Sequence, residues 1–346
     1  MYDMQIYKNS VDARTFRDGI CGLFFIKRFI TFAYMKATRI SPSEYARLFP
    51  ATSVVYNSVE FSELNSCKCQ EVHYIALADD GGKVRLGATF GMVDGELRMP
   101  FSAPFGCIEE PKPQQVSYYV DAIDALKSYG DEHKCRLRLT LPPVIYSRHS
   151  HIEKQYLAAI TRGAELLYTD YSHAMPLSRD MDVLKLLTPQ SRRKYKASVR
   201  AGLECRAYDA SDFTALEEAY SVIKIHHEAH GYPVRMTFDN LRDTIARMVG
   251  GSVYMVSHGG CTVAAAINYH HPSGIVQGVY WGNIPESAGL SPMNNIAVEM
   301  SIDFARQGLR WFDLGPSSIR GVPDAGLCLF KESLGFGLFT KPTLMV

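Results

Sequence analysis

The chain has 346 residues, 47% of them hydrophobic, which at roughly 150 residues per domain predicts two domains with a core each and excludes a single small module. Charged residues make up 21%, and 37 Lys+Arg against 36 Asp+Glu give a formal net charge of +1, so a generally basic nucleic-acid binder is excluded while a local basic patch can still hold phosphate. No stretch reaches the roughly 20 apolar residues of a bilayer span, and the eight scattered cysteines, of which Cys67 and Cys69 form the one close pair, fit buried thiols in a reduced cytoplasmic protein with no metal site.

Residues 1–40 read as an N-terminal extension. Seven Lys/Arg stand there against three Asp among Phe, Ile and Tyr, a composition shared by surface-seeking helices and by ordinary packed extensions. Lys27 and Arg28 interrupt the apolar run Cys21 to Met35, which makes it a poor signal peptide. A helix is predicted from Ser41-Pro42 to just before Pro50, because a hydroxyl N-cap followed by Pro at the first helical position, with Glu44 at the capping-box site, is a start signal. Then comes a three-stranded meander, Val72 to Ala78, Lys83 to Met92 and Glu96 to Phe101, with Asp/Gly turns between the strands. A helix from Gln114 to Tyr129, ending at Gly130, and a strand from Cys135 to Leu141 complete the unit.

The same order returns about 180 residues later. Thr188-Pro189 opens a helix that runs to Gly202, and Asp212 to His230 forms another. Strands follow at Ser252 to Ser257, Cys261 to Tyr269 and Ile275 to Trp281, then a helix from Ser291-Pro292 to Gly308 and a strand from Leu309 to Leu314. This is a duplication of architecture. In each half the strands before and after the crossover helix lie parallel, so the fold class is α/β with mixed sheets in two tandem domains, 41–180 and 181–346.

Five segments of the second half are Thr188-Pro189-Gln190-Ser191-Arg192-Arg193-Lys194-Tyr195-Lys196-Ala197, Tyr280-Trp281-Gly282-Asn283, Leu290-Ser291-Pro292-Met293-Asn294-Asn295, Phe312-Asp313-Leu314-Gly315 and Phe330-Lys331-Glu332-Ser333-Leu334-Gly335-Phe336-Gly337. In this order they resemble the FemAB-like, or CelD-like, branch of the Gcn5-related N-acetyltransferase (GNAT) superfamily. The first half is similar to that branch's degenerate first domain, chiefly through Ser102-Ala103-Pro104-Phe105-Gly106. The resemblance implies tandem GNAT-like domains and an acyltransferase that moves an acyl group from acyl-CoA, acetyl-CoA first among them, to the amine of a cell-wall or polysaccharide precursor such as an amino sugar or peptide. Peptidoglycan members of the branch use aminoacyl-tRNA instead, which makes tRNA the alternative partner. The loop Ala288 to Met293 lacks the Gln/Arg-x-x-Gly-x-Gly/Ala pattern of typical acetyl-CoA enzymes, and a non-catalytic tandem-GNAT binding module is the alternative of another class.

Among the candidate residues, Lys331 is expected to stabilise the oxyanion formed when an amine attacks the donor carbonyl. Asp313 at a strand end, or His227 on the 212–230 helix, is expected to take the proton. Ser291, Asn294 and Asn295 at a helix start, with Arg192, Arg193 and Lys196 of the densest basic cluster, are expected to bind the donor's phosphates. Tyr280, Trp281 and His226 are expected to line the acceptor cleft. No nucleophile elbow or P-loop occurs, which favours direct attack by the amine over a covalent acyl-enzyme.

Overall fold

The computed structural model describes residues 35–346 apart from 232, 233 and 249. The expectations for residues 1–34 lie outside the described residues. In the first half the elements are β1 (Lys36–Ile40), α1 (Pro42–Leu48), α2 (Val59–Leu64), β2 (Glu71–Ala78), β3 (Val84–Val93), β4 (Glu96–Met99), α3 (Val116–Glu132), β5 (Arg136–Thr140), α4 (His151–Thr161) and β6 (Glu165–Pro176). The second half begins with α5 (Val183–Leu186), α6 (Pro189–Arg200), β7 (Glu204–Asp209), α7 (Phe213–Ala229) and α8 (Phe238–Arg247). It continues through β8 (Gly251–His258), β9 (Cys261–His271), β10 (Ile275–Asn283), α9 (Pro292–Gln307) and β11 (Trp311–Pro316), then the small hairpin β12 (Ser318–Ile319) and β13 (Val322–Pro323), α10 (Ala325–Ser333) and β14 (Gly337–Met345).

Local chemistry sets most of these boundaries. Ser41 caps α1 by accepting the Glu44 N–H at 3.2 Å, and Thr188 caps α6 by accepting the Ser191 N–H at 3.3 Å, each followed by a Pro whose missing N–H has no partner to lose. Gly308 ends α9 with φ +78°, a left-handed turn that costs glycine nothing. Two expectations fail at this level. Ser291 precedes α9 with φ +59° and its side chain caps nothing. The helix α3 does not stop at Gly130, which lies inside it because a side chain there would meet Leu137 Cδ1 at 2.5 Å and the Cys135 carbonyl oxygen at 2.8 Å.

Twelve strands form one continuous sheet in the order β1-β2-β3-β4-β5-β14-β6-β11-β10-β9-β8-β7. The meanders are antiparallel, while β4–β5 and β10–β11 are parallel, as the crossover helices require. The last strand of the chain, β14, lies between β5 and β6, and β6 in turn pairs with β11. The halves therefore share their two central strands. Lys36–Ile40, the last residues of the expected extension, run antiparallel to β2 as an edge strand of this sheet.

In the second half, alternate residues of the strands pack to opposite faces. Val253, Met255, Ala265, Ile267 and Ile275 share a core with Leu216, Ala219 and Ile223 of α7, while Val256, Ala264, Ala266, Val276 and Phe312 share one with Ile296, Met300 and Phe304 of α9.

Candidate active site

The parallel pair β10–β11 holds register for three positions only, Ile275 opposite Trp311, Val276 opposite Phe312 and Gln277 opposite Asp313. Beyond Gln277, β10 runs on to Asn283 while β11 turns away through Gly315 at φ +73°. On its other side β10 shifts register between Gly278 and Tyr280, and such a bulge re-aims the side chains and main-chain groups around it. The result is a wedge between two strands, with β10 main-chain groups turned towards it that no β11 residue pairs. The first half closes the equivalent wedge with its own chain. Glu109 exchanges both main-chain bonds with Gly87, at 2.9 and 2.7 Å, and the Gly106 N–H donates to the Thr140 carbonyl at 2.9 Å, which leaves Phe105, Cys107 and Ile108 buried in that space.

Lys331 and Asp313 fix the apex of the open wedge from within. The Lys331 side chain is buried, and its Nζ donates to three successive carbonyl oxygens, Leu314 at 2.8 Å, Gly315 at 2.9 Å and Pro316 at 3.0 Å. Burial lowers its pKa to about 8, against the pull of the Asp313 charge, and the carbonyls favour the ammonium form. All three donors are therefore spent on the backbone. The expected oxyanion role is corrected on this ground: Lys331 shapes the turn that opens the wedge.

Asp313 is fully buried. Its Oδ1 accepts the Gly315 N–H at 2.7 Å and the Ser172 hydroxyl at 3.3 Å, and its Oδ2 accepts the Tyr146 hydroxyl at 2.8 Å. Burial raises its pKa, and these donors pull it back. A second polar link stands beside it, where Gln277 Oε1 accepts from Tyr56 Oη at 2.6 Å and from His271 Nε2 at 3.0 Å. Tyr56 and Tyr146 belong to the first half, so both polar links cross between the halves under the wedge. Nothing near Asp313 or Gln277 in the sequence marks these tyrosines, the first of which is separated from Gln277 by 221 residues and the second from Asp313 by 167.

The remaining candidates sort by face. Tyr280 joins the α7 core and Trp281 the α9 core, as successive strand residues must, so they do not line one cleft together. Trp281 packs on Phe330 with ring centroids 5.8 Å apart. On the opposite face, His227 stands 5.9 Å from Tyr280, and His226 lies over Gly282 with its Nδ1 3.2 Å from the Asn283 carbonyl. A carbonyl only accepts, so His226 Nδ1 carries the proton and Nε2 the lone pair. Burial lowers the His226 pKa, and the neighbouring His230 adds to the effect.

Of the expected phosphate ligands, two have structural duties that overturn the assignment. Arg192 donates to the carbonyls of Leu184 at 2.8 Å and Leu187 at 3.2 Å, closing the end of α5, and Asn295 Nδ2 donates to Ser198 at 3.0 Å, tying α9 to α6. Asn294 and Arg193, with Lys194, line a groove of about 490 Å3 between the start of α6 and α10 that Leu329, Phe330 and Ser333 also border. Lys196 is exposed on α6 and does not border the groove, and neither does Ser291.

Residues 189–321 match the family model of the acetyltransferase (GNAT) domain. No curated protein sequence matches the chain. Among solved structures it is similar to FemX, with a TM-score of 0.63 and 12% identity over 90% of this chain and 96% of FemX. It is also similar to the C-terminal domain of a putative lysylphosphatidylglycerol synthetase from Agrobacterium fabrum, with a TM-score of 0.57 and 10% identity over 88% of this chain and 92% of that one. A third similar fold is L-PGS from Bacillus licheniformis, with a TM-score of 0.56 and 12% identity over the same shares.

Proposed function

We propose that the chain is a GNAT-superfamily acyltransferase of the FemAB-like branch that moves an acyl group from acyl-CoA to the amine of a cell-wall or polysaccharide precursor, a reading supported by the matched domain and the shared fold of FemX. The observation that carries this reading is the open wedge between β10 and β11 after the Gln277–Asp313 pair. A wedge between parallel strands admits a slender donor arm from one face and an acceptor from the other. Trp281 and Phe330 border the donor side, and Tyr280 with His227 the acceptor side.

The chemistry is direct attack. The amine nitrogen adds to the donor carbonyl, and the unpaired main-chain N–H groups of β10 beyond Gln277 hold the developing oxyanion. His227 takes the amine proton, and the thiolate, or the ribose oxygen in the aminoacyl case, leaves. Asp313 and Lys331 are positioning residues that hold the strand ends apart.

The alternative is an aminoacyl donor carried on tRNA. The shared fold of enzymes named for lysylphosphatidylglycerol synthesis supports keeping it. The test is thermal unfolding with acetyl-CoA, CoA or a charged-tRNA pool, since a ligand at about 100 times its Kd adds about 2.7 kcal/mol to the folded state. Stabilisation by CoA species, with CoA release dependent on an added amine, supports the first reading. Stabilisation by tRNA alone supports the alternative, and no response to any of the three refutes both.

A further inference from the structure

Gly278 is the first residue of β10 past the Gln277–Asp313 pair, at the apex of the wedge. Neither its backbone nor its packing among the described residues demands a glycine. It does not adopt a left-handed conformation, and a side chain there would stand in ordinary contact, 3.5 Å from Leu314 Cδ2, 3.6 Å from the Asp313 carbonyl oxygen and 3.7 Å from Asn268 Oδ1. Gly282 is fixed differently, since a side chain there would meet His226 Cβ at 2.6 Å. Glycine weakens a strand interior, and it often marks a place where a ligand comes close to the backbone.

An unpaired acceptor stands at the same place. Asn268 lies opposite Gly278 on β9 and is fully buried. Its Nδ2 donates to the Ser252 carbonyl at 3.3 Å and towards Met300 Sδ at 3.5 Å. Both of these partners only accept, which fixes the orientation of the amide and leaves Oδ1 as the free end. That oxygen is buried without a hydrogen-bond partner among the described residues. Buried polar atoms in folded proteins are nearly always paired, because an unpaired one forfeits its hydration without return.

The face and the charge of these surroundings narrow what could pair it. Val276 and Leu314 belong to the α9 core, so Gly278, two residues beyond Val276, turns to the same face, which is the donor side of the wedge. The Asp313 carboxylate points to the other face, where Gly315, Ser172 and Tyr146 hold it. The three heavy atoms closest to the site of a Gly278 side chain are thus a methyl group and two neutral oxygens. An ammonium buried among them would lack a counter-charge, whereas a hydroxyl needs a single acceptor.

We propose that Asn268 selects the donor's acyl group, its Oδ1 accepting a hydrogen bond from a neutral hydroxyl on carbon 2 or 3 of a hydroxyacyl thioester that lies against Gly278. The inference rests on the acyl-CoA reading and names the class of acyl group. A plain acetyl or butyryl group brings only hydrocarbon to this place and leaves the amide oxygen unpaired.

The experiment is isothermal titration of the full chain with CoA, with the pairs acetyl-CoA and glycolyl-CoA, and butyryl-CoA and 3-hydroxybutyryl-CoA, and with β-alanyl-CoA as the charged competitor. In the wild type, one hydroxyl donor is expected to bind about tenfold more tightly than its unsubstituted partner, the worth of one hydrogen bond to a buried acceptor. N268L, close to Asn in shape, removes the unpaired oxygen. It should melt no lower than wild type, and its preference for the hydroxyl should fall below about twofold while butyryl-CoA binds at least as well as before. G278A is the second variant, since its methyl fits in ordinary contact; it should fold and bring the acyl-CoA affinities towards that of CoA itself. A wild type that binds CoA species but holds each hydroxyl donor within twofold of its partner overturns the inference and leaves the acyl-CoA reading intact. A preference that survives in N268L, or β-alanyl-CoA as the tightest ligand, overturns the assignment to Asn268 and a neutral hydroxyl. Absence of binding by every CoA species overturns the acyl-CoA reading and the inference with it.

Discussion

Replacing Lys331 by Met separates a structural role from a chemical one. The Nζ is buried and bonded to three carbonyl oxygens between 2.8 and 3.0 Å, and Met keeps the length of the side chain but none of the donors. Each buried carbonyl that loses a charged donor costs about 1–3 kcal/mol. Relief from burying a charge offsets part of that sum, so K331M is expected to unfold about 3–5 kcal/mol more easily.

The pH dependence adds a second, sign-specific test. The pKa falls from 10.5 to about 8 in the folded state, so between these values the unfolded chain binds more protons. Stability therefore rises with pH across that window, by about 3 kcal/mol for a shift of this size, and below pH 8 the cost of the buried ammonium is present in full. The assay is urea unfolding at steps from pH 7 to pH 10, stopping where tyrosines begin to ionise. The wild type should gain stability with pH, and K331M should lack that gain. A K331M protein within about 1 kcal/mol of wild type at pH 7, with the same slope but no turnover, would refute the structural role and restore the oxyanion assignment.

Other outcomes are equally definite. Tyr146→Phe removes the donor to Asp313 Oδ2 across the two halves and should cost about 1.5–3 kcal/mol in chemical unfolding; no loss would mean that this link does not tie the halves. Gly130→Ala places a methyl 2.5 Å from Leu137 Cδ1 and 2.8 Å from a backbone oxygen, and α3 or β5 must shift at a cost of about 1–3 kcal/mol despite the better helix propensity of Ala. A chain truncated after Gly335 loses β14, which pairs with both β5 and β6, and should fail to show a cooperative melt; a folded truncation would show that the shared strands are dispensable. His227→Gln should flatten the acid limb of the kcat profile, whereas an unchanged limb assigns the proton to another group.

The readable part of the sequence was the part written in local chemistry. Hydroxyl-Pro starts, Asp-Gly turns, alternating strands and the repeated element order foretold the two meanders, their crossover helices and the parallel pairs β4–β5 and β10–β11, because hydrogen bonds and periodicity within about 20 residues decide such features. Phe330-Lys331 and Phe312-Asp313 were legible as unusual, and both charged residues do stand at the wedge. Their duties were not legible, since whether an ammonium meets solvent, substrate or three carbonyls depends on where Leu314 to Pro316 turn in space. Arg192 and Asn295 misled for the same reason, their sequence neighbourhood being basic and polar while their actual partners are the Leu184 and Leu187 carbonyls at the end of α5 and a serine on α6.

The sequence by itself determined the inventory of elements, their polarity and the superfamily resemblance. Only the tertiary structure decided that β14 enters the first half's part of the sheet, that residues 105–109 fill the first wedge while the β10–β11 pairing ends at Gln277–Asp313, and that Tyr56 and Tyr146 reach Gln277 and Asp313. These are pairings between residues far apart in the chain, set by which strand edges remain unpaired and which buried polar groups still need partners once the sheet has closed.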